Sequence, residues 1–255
     1  MVETTRTRLS DQAVRELTEQ YYSCFLCTDI STLAPGVHFV CSPLRDEEVR
    51  GFGCRYSVYI LVTGETAVVA YAPGYEGLIG RFKGKRIDEI IAGISAEYRL
   101  HELKLFIFDK EKVTDFGNAR LLTEADYPLF ERFFRATNPD ADPEGWLEAY
   151  FTEKSAAGLF TGCVVDGRLV CCCDAPDMPY MEGLIQHTGI MTLPDERVKG
   201  YARAAAALSA HNLIESGICP QWECDAENAA SAATAKSVGH REFGTAYILE
   251  TSDSK

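Results

Sequence analysis

The segment from Leu159 to Cys173 constrains the fold more than any other part of this chain. Two apolar runs flank the dipeptide Asp166-Gly167. A two-residue hairpin turn needs positive backbone φ angles at both central positions, and Asp-Gly is one of the pairs that tolerate them. The pattern therefore predicts a tight β-hairpin with strands over 159–165 and 168–173, and so an antiparallel sheet in this region.

Strand and helix patterns alternate around this hairpin. A longer strand is predicted over 183–193, in which Gly189 indicates a bulge or a close backbone approach. A helix from about Val198 to Ser216 follows, and Gly217 ends it. With the patterns on either side, the predicted order of elements from the strand near residue 119 is β-α-α-β-β-β-α-β-α-β.

The first third of the chain predicts a smaller α/β unit. Ser10 can cap a helix that carries an apolar stripe at Val14, Leu17 and Tyr21. Further on, two runs of branched and aromatic residues flank Thr63-Gly64-Glu65-Thr66, which predicts a second hairpin. No motif in this unit points to a particular chemistry.

A polar stretch over 109–118 separates the two parts, and we place the boundary near Thr114. Residues 1–114 are then a smaller α/β N-terminal domain with no assigned role, and residues 115–255 are the main domain. Two domains also suit the length of 255 residues. The predicted fold class is α/β (α+β), with a mixed, mostly antiparallel sheet flanked by helices.

The charge of the chain restricts its partners. Acidic residues exceed basic ones by 38 to 25, which gives a net charge of −13. Binding to nucleic acid without sequence preference needs Lys and Arg to neutralise phosphates, so nucleic acid is not expected as a partner. The sequence has no run of 18 apolar residues, and its polar N-terminus, 1–12, does not resemble a signal peptide. We expect a cytoplasmic protein that does not bind membranes.

The ten cysteines do not indicate a metal site or a disulfide scaffold. Cys24 and Cys27 form one CxxC pair without a second pair, which is weak support for zinc. The consecutive cysteines 171–173 suit small apolar packing positions on a strand. We therefore expect reduced thiols and no metal.

The loop between the long strand and its helix reads Arg197-Val198-Lys199-Gly200-Tyr201-Ala202. The first N–H groups of a helix have no partner inside the helix and lie at the positive end of its dipole. A pyrophosphate can accept hydrogen bonds from them. Gly200 removes the Cβ that would keep a phosphate from the backbone, and two basic side chains add positive charge. The alternative interpretation is an ordinary loop with a glycine near a helix start.

Together with its surroundings, this loop resembles the GNAT superfamily of N-acetyltransferases. The resemblance runs from about residue 118 to 250 and rests on three motifs in order. They are Thr192-Leu193-Pro194 at the end of the strand, the loop Arg197–Ala202, and Asp225-Ala226-Glu227-Asn228-Ala229-Ala230-Ser231 followed by Val238-Gly239-His240. The resemblance implies a GNAT-like sheet in the C-terminal half, with the acetyl-CoA thioester between two splayed strands.

The resemblance also implies the residues that bind acetyl-CoA, the acyl donor. Backbone groups of Ile190, Met191 and Thr192 would pair with the pantetheine arm. The N–H groups of the loop and first helical turn would hold the pyrophosphate; these belong to Arg197, Val198, Lys199, Gly200, Tyr201, Ala202 and Arg203. Asn228 would contact the pantetheine or the acceptor side of the thioester, although its type also suits a helix N-cap.

The catalytic groups are less well defined by the resemblance. The tyrosine that the family often uses as general acid would fall at Ala235, so this role cannot be carried over, and Tyr201 and Tyr247 are the remaining tyrosines nearby. An amine with a pKa of about 10.4 must lose a proton before it attacks. Histidine as a residue type titrates in a suitable range, so His187 is our first candidate for the base, with Glu223 next. Each has a structural alternative, as a packed histidine and as a capping or solvated acid.

The sequence therefore predicts an acetyl-CoA-dependent N-acetyltransferase acting on the amine of a small molecule or an amino terminus. A non-catalytic acyl-CoA-binding or sensing protein is the alternative, because the expected tyrosine is missing. A nucleotide-binding α/β domain would need its phosphate loop after the first strand of a βαβ unit, and this loop follows hairpin strands instead. The expected partners are acetyl-CoA and an amine acceptor, and the sequence leaves a homodimer open.

Overall fold

The computed structural model describes residues 7–252, so residues 1–6 of the polar N-terminus lie outside the described residues. The helices are α1 (Asp11–Leu26), α2 (Glu76–Gly80), α3 (Ile87–Ser95), α4 (Tyr127–Thr137), α5 (Leu147–Ala156), α6 (Tyr201–Glu215) and α7 (Ala229–Val238). The strands are β1 (Gly36–Cys41), β2 (Arg55–Thr63), β3 (Thr66–Tyr71), β4 (His101–Phe108), β5 (Ala119–Leu121), β6 (Thr161–Val165), β7 (Arg168–Asp174), β8 (Ile185–His187), β9 (Gly189–Thr192), β10 (Cys219–Asp225) and β11 (His240–Thr251).

The described strands form two sheets. The larger sheet has the order β1-β3-β2-β11-β4-β10-β8, and the smaller has the order β5-β6-β7-β9. Neighbouring strands are antiparallel except in two pairs, β1 with β3 and β10 with β8, which are parallel. This arrangement confirms the predicted mixed, mostly antiparallel sheet structure flanked by helices.

Strand β4 lies between β10 and β11 in the larger sheet. It pairs antiparallel with both neighbours, so that Phe106 is opposite Trp222 on one side and Glu242 on the other. Strand β11 also pairs with β2 along its other edge. The hydrogen-bonded sheet thus crosses the boundary that the sequence predicts near Thr114.

Both predicted hairpins are present. Asp166 and Gly167 have φ angles of 49° and 74°, which gives the turn the two left-handed residues that it needs. Strands β6 and β7 flank this turn directly, with Val165 opposite Arg168. In the first third of the chain, β2 and β3 pair up to the position where Thr63 is opposite Thr66.

The long strand predicted over 183–193 is divided between the two sheets. Its first part, β8, pairs with β10 of the larger sheet, and its second part, β9, pairs with β7 of the smaller sheet. Thr188 separates the two parts. A Cβ atom at Gly189 would collide with the carboxylate of Asp174, so the close approach at this glycine comes from a side chain and not from the backbone.

Strand β10 separates two helical layers. Its side chains alternate between faces, as in any β-strand. On one face the Gln221 amide donates a hydrogen bond to Thr18 Oγ1 of α1, at 3.1 Å. On the other face Trp222 Nε1 donates to Ser231 Oγ of α7, at 3.0 Å. Helix α6 packs with α7 on this second face, where Trp222, Ala205 and Ala235 belong to one buried apolar cluster.

One predicted helix start lies a few residues too early. Helix α6 begins at Tyr201 rather than Val198, because both Val198 and Gly200 have left-handed φ angles, 64° and 86°. Helix α5 begins at Leu147, directly after a turn over residues 144–146. No helix within residues 7–252 combines the length and the apolar character that a membrane-spanning segment requires.

Candidate functional site

A gap opens where the chain leaves the larger sheet after β8 and enters the smaller sheet as β9. Strand β8 pairs with β10 only from Cys219 to Gln221, so the remainder of β10 has no strand on that side. Strand β9 pairs with β7 and is itself the edge of the smaller sheet. Two strand edges with unpaired backbone groups therefore face each other across the gap, within the part of the chain that the structure describes. Such edges can accept an extended ligand as an additional strand.

The start of α6 lies just beyond the end of β9. Gly200 is its N-cap residue, has no side chain to cap the helix, and has a φ angle of 86°. The first backbone bond of the helix runs from the N–H of Ala204 to the carbonyl of Gly200, at 3.0 Å. The N–H groups before Ala204 therefore stay outside the helix ladder, as at any helix start. A Cβ built at Gly200 would meet nothing within 4 Å, so the space beside Gly200 is open.

The charged side chains of the loop are tied to its own backbone and acids. Lys199 Nζ lies 2.8 Å from Glu196 Oε2, and Arg197 Nε donates to the carbonyl of Thr192 at 3.4 Å. Val198 is fully exposed and left-handed, which is uncommon for a β-branched residue. The predicted loop residues thus lie together at the helix start. Glu196 partly neutralises Lys199, whereas Arg197 only donates to a neutral carbonyl.

Asn228 caps α7 at the far side of the gap. Its side-chain Oδ1 accepts a hydrogen bond from the N–H of Ser231 at 3.0 Å. This contact confirms the N-cap interpretation. It uses the amide oxygen, and the side chain as a whole is exposed, so the cap does not prevent the amide from meeting a ligand.

The two predicted candidates for the base, His187 and Glu223, lie together at the closed end of the gap. His187 Nε2 is 3.6 Å from Glu223 Oε1, and about a fifth of each side chain is exposed, 20% and 19%. His187 is the last residue of β8, and Glu223 lies on β10 just beyond the last paired residue, Gln221. Parallel pairing that stops at this point therefore brings the imidazole and the carboxylate together.

Two tyrosines of α1 complete this group, and the sequence analysis did not predict either of them. The Tyr22 hydroxyl donates to Glu223 Oε1 at 3.0 Å, and the Tyr21 hydroxyl is 3.2 Å from His187 Nε2. Burial, and then the charge of Glu223, raises the pKa of both phenols well above the ordinary value. Both hydroxyls are therefore protonated at neutral pH. The sequence pattern places Tyr21 on an apolar stripe. The one signal for a functional role is its position next to a second tyrosine, Tyr22.

Asp174 is a further acid that the sequence analysis missed. It is the last residue of β7, opposite Gly189, and its carboxylate packs against the Cα of that glycine. Burial raises the pKa of Asp174 above its ordinary value. A carboxyl group with a raised pKa beside a gap is a candidate for proton transfer.

The position of the expected tyrosine, Ala235, and the two other tyrosine candidates do not join this group. Ala235, at the position of the expected general acid, is a fully buried residue of α7. Tyr201 packs against the same apolar cluster. Tyr247 packs against a separate cluster, with Val58 and Ile90, at the other end of the larger sheet. Alanine has no hydroxyl, and neither tyrosine hydroxyl contacts His187 or Glu223 among the described hydrogen bonds.

One group of potential metal ligands lies away from the gap. Ligand atoms of Glu111, His211 and Glu215 all lie within 4.8 Å of one another. The guanidinium of Arg8 pairs with both carboxylates, and His211 Nδ1 is 3.0 Å from Glu111 Oε1. A cation already neutralises these acids, so the group is explained as an ion-pair network. All ten cysteines have free thiols.

Comparisons with known proteins agree with this architecture. Residues 150–249 match the family model described as GNAT acetyltransferase, which includes β6–β10, the loop before α6, and Asn228. No curated protein matches the chain. An acetyltransferase from the GNAT family of Colwellia psychrerythraea is similar in structure, with 12% identity, a TM-score of 0.52, and coverage of 96% of this chain and 98% of that one. At this identity the likeness supports the fold alone.

Two further solved structures are similar at lower scores. A GNAT-family protein from Novosphingobium aromaticivorans DSM 12444 has 22% identity and a TM-score of 0.46, with coverage of 61% of this chain. The chain spans 66% of that protein's length, slightly less than two thirds. A GCN5-related N-acetyltransferase-like protein from Streptococcus suis 89/1591 has 14% identity and a TM-score of 0.45, with coverage of 94% and 99%.

Proposed function

We propose, on the premise that the C-terminal half of this chain is a GNAT-superfamily domain, that the protein transfers an acetyl group from acetyl-CoA to an amine. The family indicates an acyltransferase in general terms. The choice of an amine, on a small molecule or an amino terminus, is our own inference. One observation carries it most directly, namely the ionisable pair His187 and Glu223 at the closed end of the gap between β9 and β10.

The gap and the helix start suit the two ends of acetyl-CoA. The pantetheine arm would lie along the unpaired edge of β9, with backbone groups of Ile190, Met191 and Thr192 as its hydrogen-bonding partners. The pyrophosphate would accept bonds from the N–H groups between Arg197 and Arg203, in the open space in front of Gly200. Asn228 lies across the gap, on α7. A strand N–H near Thr192 is suitably placed in sequence to polarise the thioester carbonyl.

The transfer needs one bond to form and one to break at the acetyl carbon. The amine nitrogen attacks this carbon, and the bond from carbon to sulfur breaks. Of the three protons on the starting ammonium group, one remains on the amide, one ends on the CoA thiol, and one is released. Glu223, beside His187, accepts the released proton and passes it to solvent. Asp174, at the end of β7, is a further carboxyl group, and burial raises its pKa.

A single substitution tests the phosphate site. Gly200→Glu places a negative side chain in the open space in front of the helix start. Hydrogen bonds to charged groups contribute about 1.5–3 kcal/mol each, so we expect acetyl-CoA affinity to fall by about a hundredfold or more. Isothermal titration calorimetry measures this change directly.

Gly84→Glu is a matched control. Gly84 has a φ angle of 83°, close to the 86° of Gly200, and a Cβ at Gly84 also meets nothing within 4 Å. Both glycines are exposed, and both variants carry the same charge change and the same backbone strain. We expect Gly84→Glu to bind acetyl-CoA like the wild type. A folded Gly200→Glu protein with wild-type affinity would refute the assigned phosphate site.

Catalysis is tested separately from binding. Thiol release from acetyl-CoA is followed with a panel of small amines, amino acids and short peptides, and acetylated product is identified by mass spectrometry. Product formation on one amine class supports the proposal. Acetyl-CoA binding without any product would instead favour a non-catalytic acyl-CoA sensor, the alternative that the buried Ala235 suggests.

A further inference from the structure

We infer that Tyr22 and Tyr21 of α1 are positioning residues that hold Glu223 and His187 for proton transfer. The inference rests on the proposed function and gives the N-terminal segment a part in it. It depends on four side chains from three elements that are distant in sequence, α1, β8 and β10. Each of these side chains lies within hydrogen-bonding or ion-pair distance of another member of the group.

Tyr22 fixes one oxygen of the Glu223 carboxylate. The phenol is completely buried, and its ring stacks on Phe243 with centroids 5.2 Å apart and an interplanar angle of 17°. Its hydroxyl donates to Glu223 Oε1 at 3.0 Å, with Gln221 Oε1 as a more distant acceptor at 3.5 Å. A donor to the ionised carboxylate favours the charged form, which is the form that a base needs. The second oxygen, Oε2, is left for the acceptor amine.

Tyr21 acts on the imidazole in the same way. Its ring is 2% exposed and packs edge-on against Tyr22 and Phe25. Its hydroxyl retains its proton at neutral pH and can donate to Nε2 of neutral His187, which places the imidazole proton on Nδ1. After protonation, Nε2–H faces both the Tyr21 oxygen and the Glu223 carboxylate. His187 can therefore take a proton without losing its hydrogen-bond partner.

The Glu223 carboxylate contacts the Tyr22 hydroxyl and the His187 imidazole. The titratable groups around it are Tyr21 and Tyr22 from α1 and His187 from β8, with Tyr59 and Tyr56 from β2 further away. Arg45, which donates to the Tyr180 hydroxyl at 3.1 Å, lies beyond these tyrosines. The hydroxyl of Tyr22 therefore stabilises the ionised carboxylate from the side of α1.

The test compares Tyr22→Phe with Tyr71→Phe in the full chain. Tyr71 is a matched control, because its ring is 2% exposed, against 0% for Tyr22, and its hydroxyl also donates to a carboxylate, Glu76 Oε2, at 3.0 Å. For Tyr22→Phe we expect kcat to fall about tenfold with the KM for acetyl-CoA unchanged. We also expect the acid limb of the pH profile of kcat/KM to move up by about one pH unit. Tyr71→Phe should change neither quantity.

A second readout does not require turnover. Imidazole ¹⁵N chemical shifts, assigned to His187 by their loss in His187→Gln, report its tautomer and its titration midpoint. Tyr21→Phe should change the tautomer ratio, and Tyr22→Phe should raise the midpoint, because a carboxylate without its phenol donor attracts the imidazolium more strongly. Tyr71→Phe should leave both unchanged.

The outcomes separate this inference from the proposed function. The positioning role is overturned if the wild type turns over and both Tyr22→Phe and Tyr21→Phe keep its rate, pH profile and imidazole spectrum. That outcome leaves the proposed function intact. Absence of turnover by the wild type would count against the proposed function. In that case the imidazole spectra still decide whether α1 controls the state of His187. Far-UV circular dichroism and thermal melts establish that each variant is folded.

Discussion

His240 provides a test of how burial controls the pH dependence of stability. It is the first residue of β11 and is 3% exposed. Its ring lies between Phe108 and Trp222, with centroid distances of 5.2 Å and 5.5 Å. Neither ring nitrogen has a hydrogen-bond partner among residues 7–252. Burial lowers the pKa of His240 to about 3, and the nearby Ala235 carbonyl offsets only a small part of this effect.

The size of the effect follows from the difference between folded and unfolded chains. An unfolded histidine takes up a proton near its ordinary value of 6.5, whereas the folded protein resists protonation down to about 3. The free energy of unfolding therefore decreases as the pH falls from about 6.5 toward 3, by about 1.4 kcal/mol per pH unit. At pH 4.5 the wild type should have lost about 2.7 kcal/mol through His240.

His240→Phe keeps an aromatic ring in this position and removes the titration. At pH 7.5 we expect the variant to be as stable as the wild type or more stable by about 1 kcal/mol, since two unpartnered nitrogens are gone. At pH 4.5 the difference in unfolding free energy should grow by about 2.7 kcal/mol. The pKa of His101 is raised, chiefly by its hydrogen bond with Asp225, so this histidine stabilises the folded protein as the pH falls. His101 is present in both proteins, and its contribution cancels in the comparison.

Urea unfolding of both proteins at several pH values from 7.5 to 4.5 measures this difference. Trp222 fluorescence follows the packing around residue 240, and far-UV circular dichroism follows the global transition. Staying above pH 4.5 avoids protonation of Asp126, whose pKa is lowered to about 2, chiefly by its hydrogen bonds with Arg120. Parallel loss of stability in the two proteins across this range would refute the reasoning.

Two further predictions concern the loop before α6 and the first third of the chain. Val198→Asn should raise the free energy of urea unfolding by about 1 kcal/mol, because Val198 is fully exposed and left-handed and asparagine tolerates that conformation; no gain would mean that the loop is unstrained. Residues 115–255 expressed alone should lack cooperative thermal unfolding and native secondary structure by circular dichroism, because β10 and β11 then lose β4, their shared neighbour. A cooperatively folded fragment would contradict this and would support the predicted boundary near Thr114.

Local patterns predicted the local structure well. The dipeptide Asp166-Gly167 determines a turn through the φ angles of two adjacent residues, and Ser10 caps α1 through a bond to the N–H of Ala13. Both features depend on residues that are close in sequence. The start of α6 was predicted three residues too early because the left-handed conformation of Val198 is not evident from its residue type.

Long-range pairing could not be predicted in the same way. Nothing in the sequence of β4 indicates that Phe106 lies opposite Trp222, more than a hundred residues away. An apolar run of this kind fits any central position in a sheet. The division of the strand over 183–193 between two sheets has the same origin, since only Gly189 marks it in the sequence.

The candidate site contains residues that a local motif identifies and residues that only the fold brings together. The residues of the loop Arg197–Ala202 are consecutive, so a motif can identify them, and their proposed role in binding acetyl-CoA stays a prediction. His187 and Glu223 were proposed separately, from their residue types and strand positions, and the structure places them 3.6 Å apart. Tyr21 and Tyr22 could not be found from the sequence, because a tyrosine on an apolar helix stripe is normally explained by packing alone.

The two walls of the gap depend on different parts of the chain, and this determines what holds the site together. On one side, β10 is positioned by β4, and its face toward α1 carries Glu223. On the other side, β9 is positioned by β7 of the smaller sheet. The strand connection at Thr188 joins these walls, and its hydroxyl lies 3.4 Å from Ser209 Oγ of α6. Since α1 and β4 both precede residue 114, the N-terminal segment sets the position of one wall and of its ionisable pair.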